Sequence, residues 1–470
     1  MANAPHPEQA DFTPDNMAAA GAVGAVVDEG YVWPEDPRTR AALEHWRSLK
    51  FGVIMHWGLY SLMGQDGSWS LCRENKGTFM DPPASWTGSL DDYAAHYRGL
   101  RREFSGQDYR AADWSAACAR AGMKYLVFTS KHHDGFSMYD TAESDYKSTA
   151  PDVPLGRDIL RETFDAFRAE GLETGVYFSK ADWAHPNYWK SDAKTVDRFH
   201  NYDIAVDPES WNSFVQFTQR QIDELLTNYG DINVLWLDAG WVKAPEEPIG
   251  IDAIAENARR RQPDILVVDR VVHGVNENYR TPEQEVPAET LDYPWESCIT
   301  LTPGWCSMRP EEVTRPVHQI IETLATIVSR GGNYLLGIGP DATGALSSHI
   351  VAALEEVGAW MDVNSEAIYD TVPGGAHLVV ASDGGADLTW RTTRTAAALY
   401  AIGLLGSAEG HDSAEILVRT SAAVARVRLL GHEAPLHFTT DDGGAVRVLL
   451  PATGARNAVV LAFDLAAAGE

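Results

Sequence analysis

Six short apolar runs alternate with helical patterns between residues 40 and 370, and this alternation constrains the fold more than any other feature of the chain. FGVIMH (51–56), KYLVFT (124–129), LETGVYFS (172–179), INVLWLD (232–238), DILVVDR (264–270) and NYLLGIG (333–339) are nearly continuous in apolar residues. Strands read this way when both faces are buried, the habit of parallel sheets covered by helices. The segments between them supply the helices. Residues 158–170 place Leu160, Phe164 and Phe167 at helical spacing and stop before Gly171; 208–229 is entered through Asp207-Pro208 and left at Gly230. Two further long helices fit 311–330 and 347–363. The expected fold class is α/β, an irregular (β/α) TIM-like barrel rather than an open sheet.

After about residue 372 the texture changes. HLVVAS, DLTWRTT, ALYAIGLL, EILVRT, VARVRLL, PLHFTT, AVRVLL and AVVLAFDL follow one another with Gly, Asp and Pro turns and no helical stretch. That pattern predicts a C-terminal antiparallel β-sandwich, poor in candidate catalytic residues and read here as a packing partner. The expected organisation is an N-terminal arm (1–38), a catalytic barrel (39–371) and the sandwich (372–470).

Charge and composition narrow the partners. With 38 basic and 67 acidic residues the formal net charge is −29, which repels phosphate backbones and anionic lipid, so neither nucleic acid nor membrane is expected as a partner. No apolar run approaches the ~18–20 residues of a membrane span. The first thirty residues lack a basic stretch followed by a continuous apolar one. Cys72, Cys118, Cys298 and Cys306 are scattered and form no C-x-x-C, so we expect a reduced, cytoplasmic protein without structural zinc. Nothing in the sequence fixes an oligomeric state. The 15 Trp residues in 470 are unusual, and flat indole faces stack on sugar rings.

In a parallel barrel the active site lies at the C-terminal ends of the strands. Those ends carry His56-Trp57-Gly58, Lys131-His132-His133-Asp134-Gly135, Tyr177-Phe178-Ser179, Trp236-Leu237-Asp238 and Asp269-Arg270. Histidine, aromatic, arginine and carboxylate groups inside one ring suit a small polyol pocket. Asp238, directly after VLWL, is expensive to bury without a partner or a task, and a nucleophile for sugar chemistry is the task it fits. A second carboxyl group must then protonate the leaving oxygen. Residues 277–296 offer Glu277, Glu283, Glu285, Glu289 and Glu296, and physics alone does not choose among them. His132-His133 is a poor metal pair, because adjacent residues on an extended chain point apart and no H-x-H or H-E-x-x-H is present. Neutral imidazoles suit a vicinal diol instead. No metal and no cofactor are expected. Trp46, Trp114 and Trp360 lie on helical faces and read as core.

FGVIMHWGLYS, KHHDGF, GVYFS, VLWLDAGW, the TPEQ–PWES segment, SRGGNYLLGIGP and NSEAIY, in this order over roughly 46–371, resemble the α-L-fucosidases of glycoside hydrolase family 29. The resemblance implies a retaining exo-hydrolase that acts on α-linked L-fucose without a metal, its substrate an α-L-fucosylated oligosaccharide or glycoside. It implies a nucleophile role for Asp238 and hydroxyl contacts for His56, His132, His133, Tyr177 and Arg270, with Trp236 stacking below the ring. Many relatives carry Glu-Trp after the first strand; here Ser68 replaces that Glu and Trp69 survives. Ser68 or Asp66 is left to fill the gap, or the preferred sugar is another of fucose-like configuration, such as L-galactose. Thr281-Pro282-Glu283 resembles the usual location of the acid/base, and Glu296 competes with it. A fucose-binding protein without catalysis is the third reading, against which the intact Asp238 counts.

Overall fold

A computed structural model describes residues 30–72, 81–195, 197–306, 313–375, 379–383 and 388–466, so most of the expected N-terminal arm lies outside the described residues. Strands β1 (Phe51–Met55), β2 (Tyr125–Lys131), β3 (Glu173–Ser179), β4 (Val234–Asp238), β5 (Leu266–Asp269), β6 (Glu296–Thr300) and β7 (Asn333–Ile338) form a seven-stranded parallel sheet in the order β5-β4-β3-β2-β1-β7-β6. The sheet curls into a TIM-like barrel. Around it run α1 (Pro37–Leu49), α2 (Leu59–Leu62), α3 (Leu90–Gly99), α4 (Ala111–Arg120), α5 (Ile159–Ala169), α6 (Pro208–Asn228), α7 (Ile251–Arg261), α8 (Val317–Ser329) and α9 (Ser348–Asn364). The helix starts follow capping chemistry. Asp158, Asp207 and Ser347 each accept a hydrogen bond from a backbone N–H of the first turn. The helix expected over 311–330 begins instead at Val317, with Pro316 as its cap, because the residue before a proline is held in extended backbone; residues 307–312 lie outside the described ones.

The sequence reading overlooked β6, whose ESCIT carries little apolar signal. Between β5 and β6 the irregular segment 276–284 takes the place of an eighth stave. It pairs antiparallel with β5 (Asp269 N–H to Asn276 O 2.9 Å, Asn278 N–H to Val267 O 2.9 Å). It then pairs parallel with β6 (Glu296 N–H to Arg280 O 2.8 Å, Gln284 N–H to Cys298 O 2.9 Å). Beneath the barrel, Trp46 of α1 stacks on Tyr279 with ring centroids 3.9 Å apart. Trp46, Trp114 and Trp360 are all buried in the core.

The C-terminal region contains β8 (Val372–Pro373), β9 (Val379–Asp383), β10 (Thr389–Arg394), β11 (Ala398–His411), β12 (Ala414–Arg419), β13 (Val424–Leu429), β14 (Phe438–Thr440), β15 (Ala445–Leu450) and β16 (Thr453–Leu465). Two antiparallel sheets, β13-β16-β11-β10-β8 and β14-β15-β12-β9, make the sandwich. Strand alternation on β11 serves two cores. Leu399 and Ala401 face the sandwich interior, while Tyr400, Ile402 and Leu404 join the apolar layer around the barrel, where the sheet meets α8. No helix among the described residues is long and apolar enough to cross a membrane.

Gly358, inside α9, shows how tightly the outer layer is fitted. A Cβ there would come within 2.2 Å of the Arg120 carbonyl oxygen, backbone that has no room to retreat. Gly358→Ala improves helix propensity by about 1 kcal/mol, yet overpacking of this kind loses about 1–3 kcal/mol or more. We therefore expect a lower thermal midpoint for the variant; an unchanged or raised midpoint would contradict the close approach of α9 to α4.

Candidate active site

Alternation along each strand decides which side chains reach the barrel mouth. Ile54, Val127, Tyr177, Val234, Trp236, Leu266 and Val268 all face the barrel interior. Two residues further along the same faces come His56, Asp238 and Arg270. Strand β2 reaches the same result through an irregularity. The register slips between Thr129 and Lys131, turning Lys131 outward to Asp182 and Gln221 and bringing His132 to the interior. The resulting cavity, about 520 Å³, is within the range of small-ligand sites. Its wall includes His56, Trp69, His132, Tyr177, Trp236, Asp238, Arg270 and Glu283.

One guanidinium organises the charges. Arg270 Nη1 donates to Asp238 Oδ1 at 2.9 Å, Nη2 donates to Glu283 Oε2, and Nε donates to Thr281 Oγ1 at 3.2 Å. The Tyr177 hydroxyl donates to the other Asp238 oxygen at 2.5 Å. Burial alone would raise the Asp238 pKa. The Arg270 charge and the hydrogen bonds from Tyr177 and Arg270 outweigh it and hold the carboxyl well below the usual range, so it is ionised. The Arg270 guanidinium lies 5.0 Å from the Trp236 ring centroid, and that ring stacks on Tyr177 at 5.3 Å. Asp269, which points the other way on β5, pairs with buried Lys180 behind the site.

Asp238, Arg270 and Glu283 each end a segment abruptly. Ala239 (φ 66°), Val271 (φ 62°) and Gln284 (φ 55°) directly follow Asp238, Arg270 and Glu283 in the left-handed region. None is glycine, so each stores about 1–3 kcal/mol of backbone strain, the kind that gathers where side chains are aimed.

Burial pushes the pKa of His56 and His132 far down and that of His133 to about 3, so all three imidazoles are neutral. Their partners set the tautomers. Ser68 presents its backbone N–H (3.4 Å) and its hydroxyl (2.6 Å) to His132 Nδ1, which leaves the proton on Nε2 as a donor. Ser179 spends its hydroxyl hydrogen on the Ala181 carbonyl (2.8 Å) and accepts from His133 Nδ1 at 2.7 Å, leaving His133 Nε2 an acceptor, 3.8 Å from Asp238. The chain leaves the strand at Lys131, so the expectation that His132 and His133 point apart does not hold. Their ring centroids are 4.2 Å apart; His132 lines the cavity, and His133 is buried behind it against Trp69 and Trp241 of the wall. Asp66 is turned to the backbone N–H of Trp305 (2.6 Å) and braces the loop after β6. Among the described residues no group of three His, Cys, Asp or Glu side chains could hold a metal ion.

Glu296 stands apart from the others. It opens β6 at the opposite end of the barrel from the cavity mouth, fully buried, accepting from the Tyr125 hydroxyl at 2.5 Å. Below the level of Trp236 and outside the cavity wall, it has no path to a leaving oxygen, which corrects its candidacy as the acid/base. The sequence reading missed Trp305, whose ring lies 5.1 Å from His56, and the mouth residues Arg198, Phe199, Lys243 and Glu246. Tryptophan richness of the loops was the only signal for Trp305.

Burial raises the Glu296 pKa from 4.5 to about 7. The folded state thus keeps a proton that an unfolded glutamate gives up near pH 4.5, so stability is lost as pH rises through that window. Glu296→Gln should remove this loss, and its thermal midpoint should gain on the wild type from about pH 4.5 to about pH 7 and then level off; a pH-independent difference would contradict the buried carboxyl. Ser68→Ala should leave only the longer backbone N–H contact on His132 Nδ1, loosen the hold on its tautomer and raise KM for an α-L-fucoside several-fold with a smaller change in kcat; an unchanged KM would contradict the assignment.

Comparison with known proteins agrees with this geometry. The family model described as Alpha-L-fucosidase matches residues 19–366. The tissue alpha-L-fucosidase of Rattus norvegicus is 28% identical over 450 residues, covering 93% of this chain and 92% of that protein. The plasma alpha-L-fucosidase of Homo sapiens is 28% identical over 425 residues, covering 86% and 84%. Among solved structures, alpha-L-fucosidase isoenzyme 1 from Paenibacillus thiaminolyticus is 29% identical with a TM-score of 0.72, covering 92% of this chain and all (100%) of that one. An alpha-L-fucosidase from Bacteroides thetaiotaomicron, solved as a trapped covalent intermediate with 2-fluoro-fucosyl fluoride, shares the fold at 21% identity and a TM-score of 0.71, covering 94% and 99%. With its barrel, its strand-end carboxylates and a family match over most of its length, this chain belongs to the alpha-L-fucosidase family of glycoside hydrolases.

Proposed function

We propose that the chain releases L-fucose from α-L-fucosides with retention of configuration, through a covalent fucosyl-enzyme on Asp238. The observation that carries this reading is the Arg270 fork, which touches Asp238 with one terminal nitrogen and Glu283 with the other. A nucleophile and an acid/base must flank the same glycosidic bond, and one planar guanidinium gathers both carboxyl groups at one place in the cavity. The trapped covalent intermediate of the Bacteroides thetaiotaomicron enzyme supports the same reading.

In the first step ionised Asp238 attacks C1 while protonated Glu283 gives its proton to the departing glycosidic oxygen. The bond to the leaving group breaks and a β-linked fucosyl ester forms. In the second, Glu283 takes a proton from water, whose oxygen attacks C1 and frees α-L-fucose and the Asp238 carboxylate. Tyr177 and Arg270 hold the nucleophile by its two oxygens, Trp236 floors the sugar, and His132 offers a donor to a sugar hydroxyl, with the buried His133 Nε2 3.8 Å from Asp238.

Azide rescue separates the two carboxyl roles. In Glu283→Ala, an aryl fucoside with a good leaving group still forms the intermediate, but no base activates water. Azide needs no base, so it should restore turnover and give the α-fucosyl azide. In Asp238→Gly azide attacks from the opposite face and should give the β-fucosyl azide. Formation of the α-azide by Glu296→Ala, with Glu283→Ala unrescued, would overturn the assignment.

A further inference from the structure

Behind the cavity, on the face of the sheet turned to the helices, lies a buried ion pair that the reaction itself does not use. Lys180 stands two residues past Phe178 at the end of β3, and Asp269 two past Val267 on β5. Phe178 and Val267 belong to the apolar layer around the barrel, so both charged side chains leave the sheet on that outer face. There the Lys180 ammonium donates to Asp269 Oδ1, both groups buried. Strand β4 lies between β3 and β5, so the lysine reaches over two strand spacings, about 10 Å of sheet, to meet its partner. We propose that Lys180 and Asp269 are positioning residues, which strap β3 to β5 across the end of β4 and so hold Arg270 against Asp238. The proposal rests on the retaining reading, in which Asp238 attacks as an ionised nucleophile.

The strap closes over the backbone that carries the site. The Lys180 N–H donates to the Asp238 carbonyl at 3.2 Å, and the Arg270 N–H donates to the Leu237 carbonyl at 3.1 Å. Immediately beyond these bonds Ala239 and Val271 lie in the left-handed region and the strands end. A side-chain tie on the outer face restrains the two chains at the level where the regular sheet stops. Each end of the strap is also one peptide away from a residue of the site. Lys180 follows Ser179, which accepts from His133 Nδ1, and Asp269 precedes Arg270.

Net stability does not account for such a pair. Both groups give up hydration, and replacing the two partners of a buried pair with apolar side chains of similar volume is often neutral or stabilising. Burial raises the Asp269 pKa against the pull of Lys180; Lys243 and Asp252 are the other charged groups that act on it. What the pair adds is direction. A lysine that must end on one carboxylate fixes where β5 sits relative to β3, whereas apolar contacts leave the strands free to shift.

The experiment isolates the nucleophile from the acid/base. Attack on 2-fluoro-fucosyl fluoride expels fluoride, which needs no proton, so the rate constant of inactivation reports on Asp238 rather than on Glu283. Of the groups that face Asp238, Tyr177 and His133 are neutral above pH 4.5, and Arg270 is the cation, shared with Glu283. The ratio of variant to wild-type rate constants is measured from pH 4.5 to pH 7.5. Lys180→Met/Asp269→Leu should keep a thermal midpoint near that of the wild type, yet be inactivated between about ten- and 10²-fold more slowly at pH 7, the loss expected from a misplacement of about 1 Å. The ratio should fall further as pH drops, because a loosened Arg270 lets burial raise the Asp238 pKa until the carboxyl takes up a proton. Asp269→Asn keeps the shape and an acceptor for Lys180; it should move the ratio the same way by less, and it decides the matter if the double variant does not fold. A folded variant with the wild-type rate, or one slowed equally at every pH, would overturn the strap. A wild type that the reagent does not inactivate would remove the retaining reading, and the strap with it.

Discussion

The active site depends on a single guanidinium. Arg270 leaves β5 on the interior face, lies over Trp236, and divides its donors among Asp238, Glu283 and Thr281. Without that cation, burial would favour a protonated, neutral Asp238. Because the same group also holds Glu283, one side chain gathers both carboxyls at the same place in the cavity. On the retaining reading, one of them attacks while the other serves first as acid and then as base.

The barrel is irregular where this arrangement requires it. An eighth regular strand would have run straight between β5 and β6. The segment 276–284 instead starts antiparallel to β5 and finishes parallel to β6, delivering Thr281 and Glu283 at the level of Arg270. The left-handed backbone after Asp238, Arg270 and Glu283 fits the same account: each chain turns away immediately beyond the side chain it presents. Stability for these strained turns comes from the layers around them, where Trp46 stacks on Tyr279 below and α8 is pressed between the sheet and the sandwich.

Much of this was legible in the sequence, for a simple reason. Period-two alternation on a buried strand makes VLWLD and LVVDR self-reading: once Trp236 and Val268 face inward, Asp238 and Arg270 must too. All eight strands expected after residue 372 form, because turn residues punctuate them clearly. What escaped were departures from regular backbone. The slip in β2 changes which histidine enters the site, and the irregular stave carries no apolar pattern to mark it. The choice between Glu283 and Glu296 turns on which end of the barrel each occupies, and strand β6, on which that depends, was itself invisible. Long-range contacts such as Ser68 on His132 and Asp66 beneath Trp305 have no local signature at all.

The most direct measurement is covalent. Incubation with 2-fluoro-fucosyl fluoride slows both steps but keeps a good leaving group, so a fucosyl-enzyme should accumulate. Intact-mass and peptide mass spectrometry should then find one 2-fluorofucosyl group per chain, on the β4 peptide and at Asp238. A label on Glu283, or hydrolysis of the reagent with no adduct at any time, would contradict the account of Asp238 as the nucleophile that Arg270 holds in place.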